Sequence, residues 1–550
     1  MTQPKERWAT RVGLVLAMAG NAVGLGNFLR FPAQAAQNGG GAFIIPYLVS
    51  FVLMGLPLLW VEWAIGRHGG QFGYHSAPGL IQSLGKHPIW KYCGVFGIFT
   101  NLAIIAYYTY IESWTLGYVF YSLSGVFSNQ SAAEVSEIFS RHLDLDAGSF
   151  LNVPVLAFVF FLVTLAVNLW ILSRGLSKGI ERASRIGMPI LLLFAVFLVI
   201  RALTLNAGEF GANHDATLGL NFLWQPRLDA LGDPRVWLAA AGQIFFTLSV
   251  GMGPILVYAS YVRKNDDIAL NATSAGWLNE FVEVILGGSL VIPIAVAYLG
   301  LDWVQSNVGF EMGFRTMPTL FQNWGPVFSV LAGVAWFGLL FFAGITSSLA
   351  MGQPVVTFFQ DSFGISRGRA VMLLGVVAVM MALPCIFLYG QGAFGEFDYW
   401  AGTFSLVVFA LIEIIAFAWV FGIDRGWKEI TRGADIRLPG FFKAVIKYVT
   451  PLFLIAVFIG AVFKPVDSDW VAAASHLFGG NGWPFAPDSI IGTVFNIGVT
   501  DRRWFIDGHP TSVFVVDATR IFLLMIFLAI GFVIHVSWRN KAKQRGGTVR

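Results

Sequence analysis

The chain has 550 residues, 56% of them hydrophobic and only 12% charged, with a mean hydropathy of +0.69. Soluble domains carry roughly 25% charged residues, so the composition excludes a soluble protein, leaves little room for a separate soluble domain, and implies a polytopic membrane protein. The net charge of +4 does not point to nucleic acid, because the basic residues fall in short segments between apolar runs.

The N-terminal MTQPKERW leads into a long span with no small-residue cleavage pattern, and reads as a retained cytoplasmic tail rather than a signal peptide. Apolar runs of roughly 20 residues give twelve spans, at approximately 11–35, 41–66, 90–124, 153–172, 178–204, 235–258, 268–297, 326–359, 368–388, 393–422, 444–464 and 515–537. Lys and Arg concentrate in alternate connections: the N-terminus, Arg67 to Lys91, Arg174 to Arg185, Arg263 and Lys264, Arg367 and Arg369, Arg425 to Lys447, and the tail from Arg539. By the positive-inside rule both termini are cytoplasmic, as an even number of spans requires. Cys93 and Cys385 lie in apolar stretches at no metal or redox spacing and read as small buried hydrophobes.

The first span is interrupted. Gly20-Asn21-Ala22-Val23-Gly24-Leu25-Gly26-Asn27 places three glycines and two asparagines where leucines are expected. Glycine costs a helix interior about 1 kcal/mol relative to alanine, and unpaired backbone in hydrocarbon costs several. Two readings fit: a small-residue packing face with Gly20 and Gly24 as GxxxG, or a break whose free backbone groups are satisfied by an ion or a polar ligand. The sixth span repeats the feature at Phe246-Thr247-Leu248-Ser249-Val250-Gly251-Met252-Gly253-Pro254. Broken helices five spans apart in opposite orientation imply an inverted repeat, spans 1–5 against 6–10, the best sequence pointer to a transporter binding site. The expected division is a single domain over 1–550: a first repeat at 11–204, a second at 235–422, helices 11 and 12 at 444–537, and an extended outer loop at 465–513.

A helix broken at mid-membrane exposes carbonyls at the end of one half and N–H groups at the start of the other. The carbonyls suit a small cation and the N–H end near Leu25 and Gly26 suits a carboxylate. Asn27 adds a neutral oxygen, and no acidic residue lies in the segment, which favours a monovalent ion over calcium. Ala343 to Ser348 in the eighth span is hydroxyl-rich, which fits either ligand binding or helix packing. Arg30 and Asp398 sit toward one face and Lys5 and Asp361 toward the other; each set is a candidate pair or a group of interfacial charges that snorkel to water. Glu62, Glu112, Glu283 and Glu413 are further carboxylates within spans, and Tyr107 and Tyr108 are mid-span with Phe246 a candidate partner.

WATRVGLVLAMAGNAVGLGNFLRFPAQAAQNGGGAF, YYTYIESWTLG, GQIFFTLSVGMG, YASYVRK, LNEFVEVILGGS, FFAGITSSLA and FDYWAGT together resemble the neurotransmitter:sodium symporters, over about residues 5 to 463. The resemblance implies an all-α membrane protein with twelve helices, the LeuT fold, and its 5+5 inverted repeat. It implies sodium-coupled, alternating-access import of amino acids. One sodium would be held by Ala22, Asn27, Thr247, Asn279 and the substrate carboxylate, and a second by Gly20, Val23, Ala343, Thr346 and Ser347. The substrate carboxylate would lie on Leu25, Gly26 and the Tyr108 hydroxyl, and its ammonium near Phe246, Thr247 and Ala22, with Ser249 and Ser347 nearby. Phe246 over Tyr108 resembles an outer lid; Arg30, Asp398 and Gln243 an outer gate; Lys5, Trp8, Ser260, Tyr261 and Asp361 an inner network. Glu62 resembles an acid that steadies the unwound backbone.

Glu283 stands where chloride-dependent members carry a neutral hydroxyl, so the resemblance implies a chloride-independent protein of the bacterial type. Ile104, Met252 and Met351 line the apolar end of the expected pocket, where leucine-transporting members carry valine, phenylalanine and isoleucine. Methionine fills irregular gaps, and no charge faces this end, so neutral and mainly apolar L-amino acids are expected. Lys5 replaces an arginine and loses its bidentate fork. The expected partners are an amino acid, sodium and the lipid bilayer, with no nucleic acid and a homodimer left open; the expected location is a bacterial inner membrane. A non-transporting amino-acid sensor on the same fold is the alternative, and short tails argue against it. No nucleophile–base pair or metal cluster points to an enzyme.

Overall fold

The structure, a computed structural model, describes residues 6–145, 151–226, 228–232, 234–497 and 513–544. Lys5 and the stretch Asp501 to Trp504 of the outer loop lie outside the described residues. Among the described residues the ordered elements are helices, and the single β feature is an isolated antiparallel bridge between Pro465 and Phe485.

Among the described residues, ten continuous helices are long and apolar enough to cross a membrane. An eleventh span is the pair Arg11–Ala22 and Gly26–Gln37, bent by 48°. The twelfth is Pro234–Leu248, resumed after residues 249–253 by Pro254–Ala259. These twelve match the apolar runs with shifted ends: the eighth span extends to Phe363 and the tenth to Ile430. Their order of burial places them. Trp90–Leu123 and Ile268–Leu299, the third and seventh spans, are 89% buried over their most apolar stretch, whereas Phe442–Val462 and Val513–Lys541, the eleventh and twelfth, are 28% and 22% buried. The former are central and polar enough to build a site; the latter are peripheral and face outward.

Close approach explains how the second half of the sixth span reaches the centre. A Cβ on Gly66 would lie 2.3 Å from the Leu256 carbonyl oxygen, and one on Gly70 2.1 Å from that of Ser260. The second span therefore carries glycine at i and i+4 against Pro254–Ala259, a small-residue seam that lets backbones touch. Several spans contain π-helical turns, including Phe281–Gly287 and Asp398–Ser405. Such turns cluster at functional positions, and these two hold Glu283 and Asp398. Connections also form short helices that the apolar pattern does not predict, among them Ala132–Leu143, Ala216–Trp224 and Trp470–Phe478.

A broken-helix cavity as the candidate functional site

The two breaks meet across one cavity of about 510 Å³. Its lining includes Asn21, Ala22, Gly24 to Asn27, Arg30, Ile104, Tyr107, Tyr108, Phe246, Thr247, Ser249, Met252, Ser347, Met351 and Asp398. Residues from the first, third, sixth, eighth and tenth spans, up to 377 positions apart in the chain, are thus brought to one place.

The first helix ends where Val23 turns extended (φ −72°, ψ 96°) after its N–H has bonded to the Ala19 carbonyl. The N–H groups beyond it are held by side chains: Gly24 donates to Asn27 Oδ1 at 2.8 Å and Leu25 to the Tyr108 hydroxyl at 3.2 Å. A Cβ on Gly24 would stand 2.9 Å from that hydroxyl, and one on Gly26 2.5 Å from Phe246 Cε1. Glycine is needed here for approach. On the carbonyl side, Ser347 Oγ reaches the Gly20 and Asn21 oxygens at 3.3 and 3.4 Å, and Ser249 Oγ donates to Asn21 at 3.1 Å. These side chains do what a helix would otherwise do for the backbone.

The sixth-span break is set by three residues with positive φ, Ser249 (53°), Gly251 (74°) and Gly253 (104°). A non-glycine in that region is strained and persists only when surroundings fix it. Here Gly251 N–H donates to Glu62 Oε1 at 2.6 Å, and Asn101 Nδ2 donates to the Met252 carbonyl at 2.5 Å. Both anchors come from other spans and are fully buried.

Two oxygen clusters border the cavity. In one, Asn27 Nδ2 donates to Asn279 Oδ1 at 2.9 Å and Asn279 Nδ2 to Thr247 Oγ1 at 3.0 Å. Glu283 closes it from behind: its carboxylate accepts from Tyr47 Oη at 2.9 Å, from Gln243 Nε2 at 2.5 Å and from Thr247 Oγ1. In the other, Thr346 Oγ1 donates to the Phe342 and Ala343 carbonyls at 2.9 and 3.2 Å, and Gly20 lies directly against Thr346. Among the described residues no group of three or more His, Cys, Asp or Glu converges as a metal site; the oxygens at these clusters are those of amides, hydroxyls and backbone. They are a chemically apt set for a weakly charged cation, with the Glu283 carboxyl behind them.

The expected gates are arranged differently from the pairings named above. Arg30 does not pair with Asp398: its guanidinium lies over the Phe246 ring, 4.1 Å from the centroid, while Asp398 Oδ1 accepts from Tyr107 Oη at 2.8 Å. A π-face and a phenol are the nearer partners once the cavity stands open between the two charges. Gln243 belongs with Glu283 and not with Arg30 and Asp398. Phe246 sits against Gly26 rather than stacked on Tyr108. At the N-terminal face, Trp8 Nε1 donates to the Tyr258 carbonyl at 3.0 Å, and Ser260 Oγ lies 2.9 Å from His75 Nδ1. His75 also stacks on Tyr261 at 4.4 Å, and Tyr261 and Asp361 line one polar hollow with Ser260.

Several residues that complete this arrangement are not legible as site residues in the sequence. Tyr47 is a further donor on Glu283 and Asn101 holds the second break; Asn21, already marked as part of the first break, turns toward the cavity with its Nδ2 unpartnered. A polar side chain inside an apolar run was the available signal for each. Glu6, paired with Arg367 at 3.0 Å, stands at the N-terminal face where Lys5 was expected to act.

Comparison with known proteins agrees with this geometry. The model of the sodium:neurotransmitter symporter family matches residues 5–143 and 127–475. An uncharacterized sodium-dependent transporter of Methanocaldococcus jannaschii is 33% identical over 465 residues, covering 82% of this chain and 89% of the relative. The sodium-dependent nutrient amino acid transporter 1 of Drosophila melanogaster is 26% identical over 582 residues, covering 93% of this chain and 85% of that one. Among solved structures, that of MhsT in complex with L-phenylalanine superposes with a TM-score of 0.70 at 29% identity, covering 83% of this chain and 99% of that chain. The chain therefore belongs to the sodium:neurotransmitter symporter family of sodium-coupled transporters and is a multi-pass membrane protein with the LeuT fold.

Proposed function

We infer that this protein is a sodium-coupled symporter that imports neutral, mainly hydrophobic L-amino acids by alternating access, without a requirement for chloride. The observation that carries the reading is the meeting of two helix breaks on one cavity, with N–H groups and the Tyr108 hydroxyl on one side and neutral oxygens beside Glu283 on the other. The substrate carboxylate takes the N–H end at Leu25 and Gly26 together with Tyr108. Its ammonium faces the carbonyls around Ala22, Phe246 and Thr247, with Ser249 and Ser347 adjacent.

One sodium binds on Ala22, Asn27, Thr247, Asn279 and the substrate carboxylate; the second binds on Gly20, Val23, Ala343, Thr346 and Ser347. Because the substrate carboxylate completes the first sodium's ligand set, that sodium and the substrate strengthen each other's binding. Glu283 supplies the negative charge that an anion would otherwise bring to Tyr47, Gln243 and Thr247. Glu62 steadies the second break through Gly251. The apolar end is formed by Ile104, Met252 and Met351, which are buried and uncharged.

Arg30, Phe246 and Asp398 close the outer side, and Trp8, Ser260, Tyr261 and Asp361 the inner side, in alternation. The two-repeat division over 11–204 and 235–422, the cytoplasmic termini and the bacterial inner membrane are parts of the same reading. The alternative, a sensor on this fold, binds the same ligands without moving them. Uptake of radiolabelled leucine into sealed proteoliposomes, with an inward sodium gradient or with potassium in its place, separates the two. Sodium-driven accumulation, competed by apolar amino acids and not by acidic or basic ones, is expected. Sodium-dependent binding without accumulation would establish the sensor instead.

A further inference from the structure

The helix Trp470–Phe478 lies in the segment that joins the eleventh and twelfth spans, and no residue of 463–497 lines the central cavity. It is held in place. Asp469 Oδ1 caps it by accepting from Val471 N–H at 3.1 Å and Ala472 N–H at 2.9 Å. The flanking strand-like pieces are tied by Val466 N–H to the Pro484 carbonyl at 3.0 Å and Ala486 N–H to the Lys464 carbonyl at 2.8 Å. Asn496 bonds Asp517 and Arg520 of the twelfth span at 3.1 and 2.8 Å.

On this frame the helix shows its apolar side outward. Residues 470, 471, 474, 477 and 478 share one helical face at 100° per residue, and they are Trp, Val, Ala, Leu and Phe. Phe478 is 88% exposed and Val471 78%, while Ala473, on the side toward the protein, is buried. Ser475 and His476 fall on the remaining face. Apolar side chains so exposed on a fixed helix need a cover.

Position identifies the cover. The eleventh span, Phe442–Val462, is 21 residues long, about 30 Å at 1.5 Å per residue, the thickness of a hydrocarbon core. Val462 is then at the edge of the bilayer, and Trp470 follows eight residues later. Leu452 and Ile459 on that span, and Phe463 and Val466 just beyond it, are exposed apolar residues leading along the chain to the helix. Trp470 and Trp483 lie 5.9 Å apart beside it, with the Lys464–Asp488 ion pair at the same end. Aromatic rings and charged residues at the end of a span mark the headgroup level.

We propose that Trp470–Phe478 is an interfacial helix, seated in the lipid headgroup region beside the eleventh span with Val471, Leu477 and Phe478 pointing into the acyl boundary. Such helices bury their apolar side by roughly 5–10 Å. The partner is the lipid surface itself.

The test places an environment-sensitive fluorophore at single cysteines, Val471→Cys, Phe478→Cys and His476→Cys, in a Cys93→Ser chain whose remaining Cys385 is buried. The protein is reconstituted in phosphatidylcholine–phosphatidylglycerol vesicles. Emission at 471 and 478 is expected to be blue-shifted and quenched several-fold more by nitroxide-labelled lipids than at 476, and 476 to be the position quenched by aqueous iodide. Iodide quenching of all three positions alike would overturn the proposal. Protection from both quenchers would also overturn it, showing cover by protein, such as a second copy. Hydroxyl-radical labelling of the unaltered chain in the same vesicles reads the same face without cysteines: Phe478 oxidised several-fold less than His476 is expected, and equal oxidation overturns the proposal.

Discussion

Glu283→Ser is the most informative substitution in the cavity. Its carboxylate accepts from Tyr47, Gln243, Thr247 and, at 3.3 Å, Asn279, and it is fully buried. Removal takes that acceptor from these donors, leaving Asn279 the neighbouring Glu280 at 3.4 Å, and, on the proposed reading, takes a carboxylate away from a cation on Thr247 and Asn279. Two opposite unit charges about 5 Å apart at an effective dielectric near 20 attract by about 3 kcal/mol. At about 1.4 kcal/mol per decade, that is roughly a hundredfold in sodium affinity. The vacated donors form a ready anion site, so chloride is expected to restore what the carboxylate supplied. The assay is sodium-dependent leucine uptake into proteoliposomes in chloride or gluconate. The unaltered protein should be indifferent to the anion, and Glu283→Ser should be nearly inactive in gluconate and recover in chloride. A variant with unchanged sodium dependence in gluconate, or an unaltered protein that needs chloride, would refute the reasoning.

Tyr108→Phe removes the hydroxyl that meets Leu25 N–H; loss of one hydrogen bond to a charged group, about 1.5–3 kcal/mol, is expected to raise the Kd for leucine roughly 10- to 100-fold in equilibrium binding, and the melting temperature of the ligand-free protein should fall because the buried Leu25 N–H loses this partner. Gly26→Ala would place a Cβ 2.5 Å from Phe246 Cε1, so leucine binding is expected to be lost while the protein remains monodisperse on size exclusion. Met351→Ala enlarges the apolar end by several methylene groups, each worth about 0.8 kcal/mol, and should shift the competition order from leucine toward aromatic amino acids. His142, in the Ala132–Leu143 connection, is buried, and desolvation pushes its pKa down to about 4. The unfolded chain takes up this proton below about pH 6.5. The folded one does so only near 4, so stability is full above 6.5 and falls by about 3 kcal/mol as pH drops to 4. The melting temperature of His142→Gln in lipid should fall less over that range than that of the unaltered protein.

Much of this arrangement is legible in the chain. Glycines and asparagines inside the first apolar run, and Ser249, Gly251 and Gly253 inside the sixth, announce breaks because no continuous helix tolerates them at low cost. The span boundaries follow hydropathy, and the helices of the connections do not, because short polar helices leave no long apolar run. The partners across the site are less legible. Tyr47, Gln243 and Glu283 meet over separations of 40 and 236 residues, which no local pattern encodes. Arg30 and Asp398 fall at one level by position alone. Only the packing shows that each has an aromatic partner closer than the other.

The proposed function rests on one carboxylate, the substrate's own, completing a sodium site with Asn27, Thr247 and Asn279. The direct test is reciprocity: the leucine Kd measured across sodium concentrations, the sodium dependence measured across leucine concentrations, and the same pair with leucinol, which lacks the carboxylate. Sodium should tighten leucine by the same factor by which leucine tightens sodium, and leucinol should show little of that coupling. Leucine binding that ignores sodium, or leucinol coupled as strongly as leucine, would contradict it.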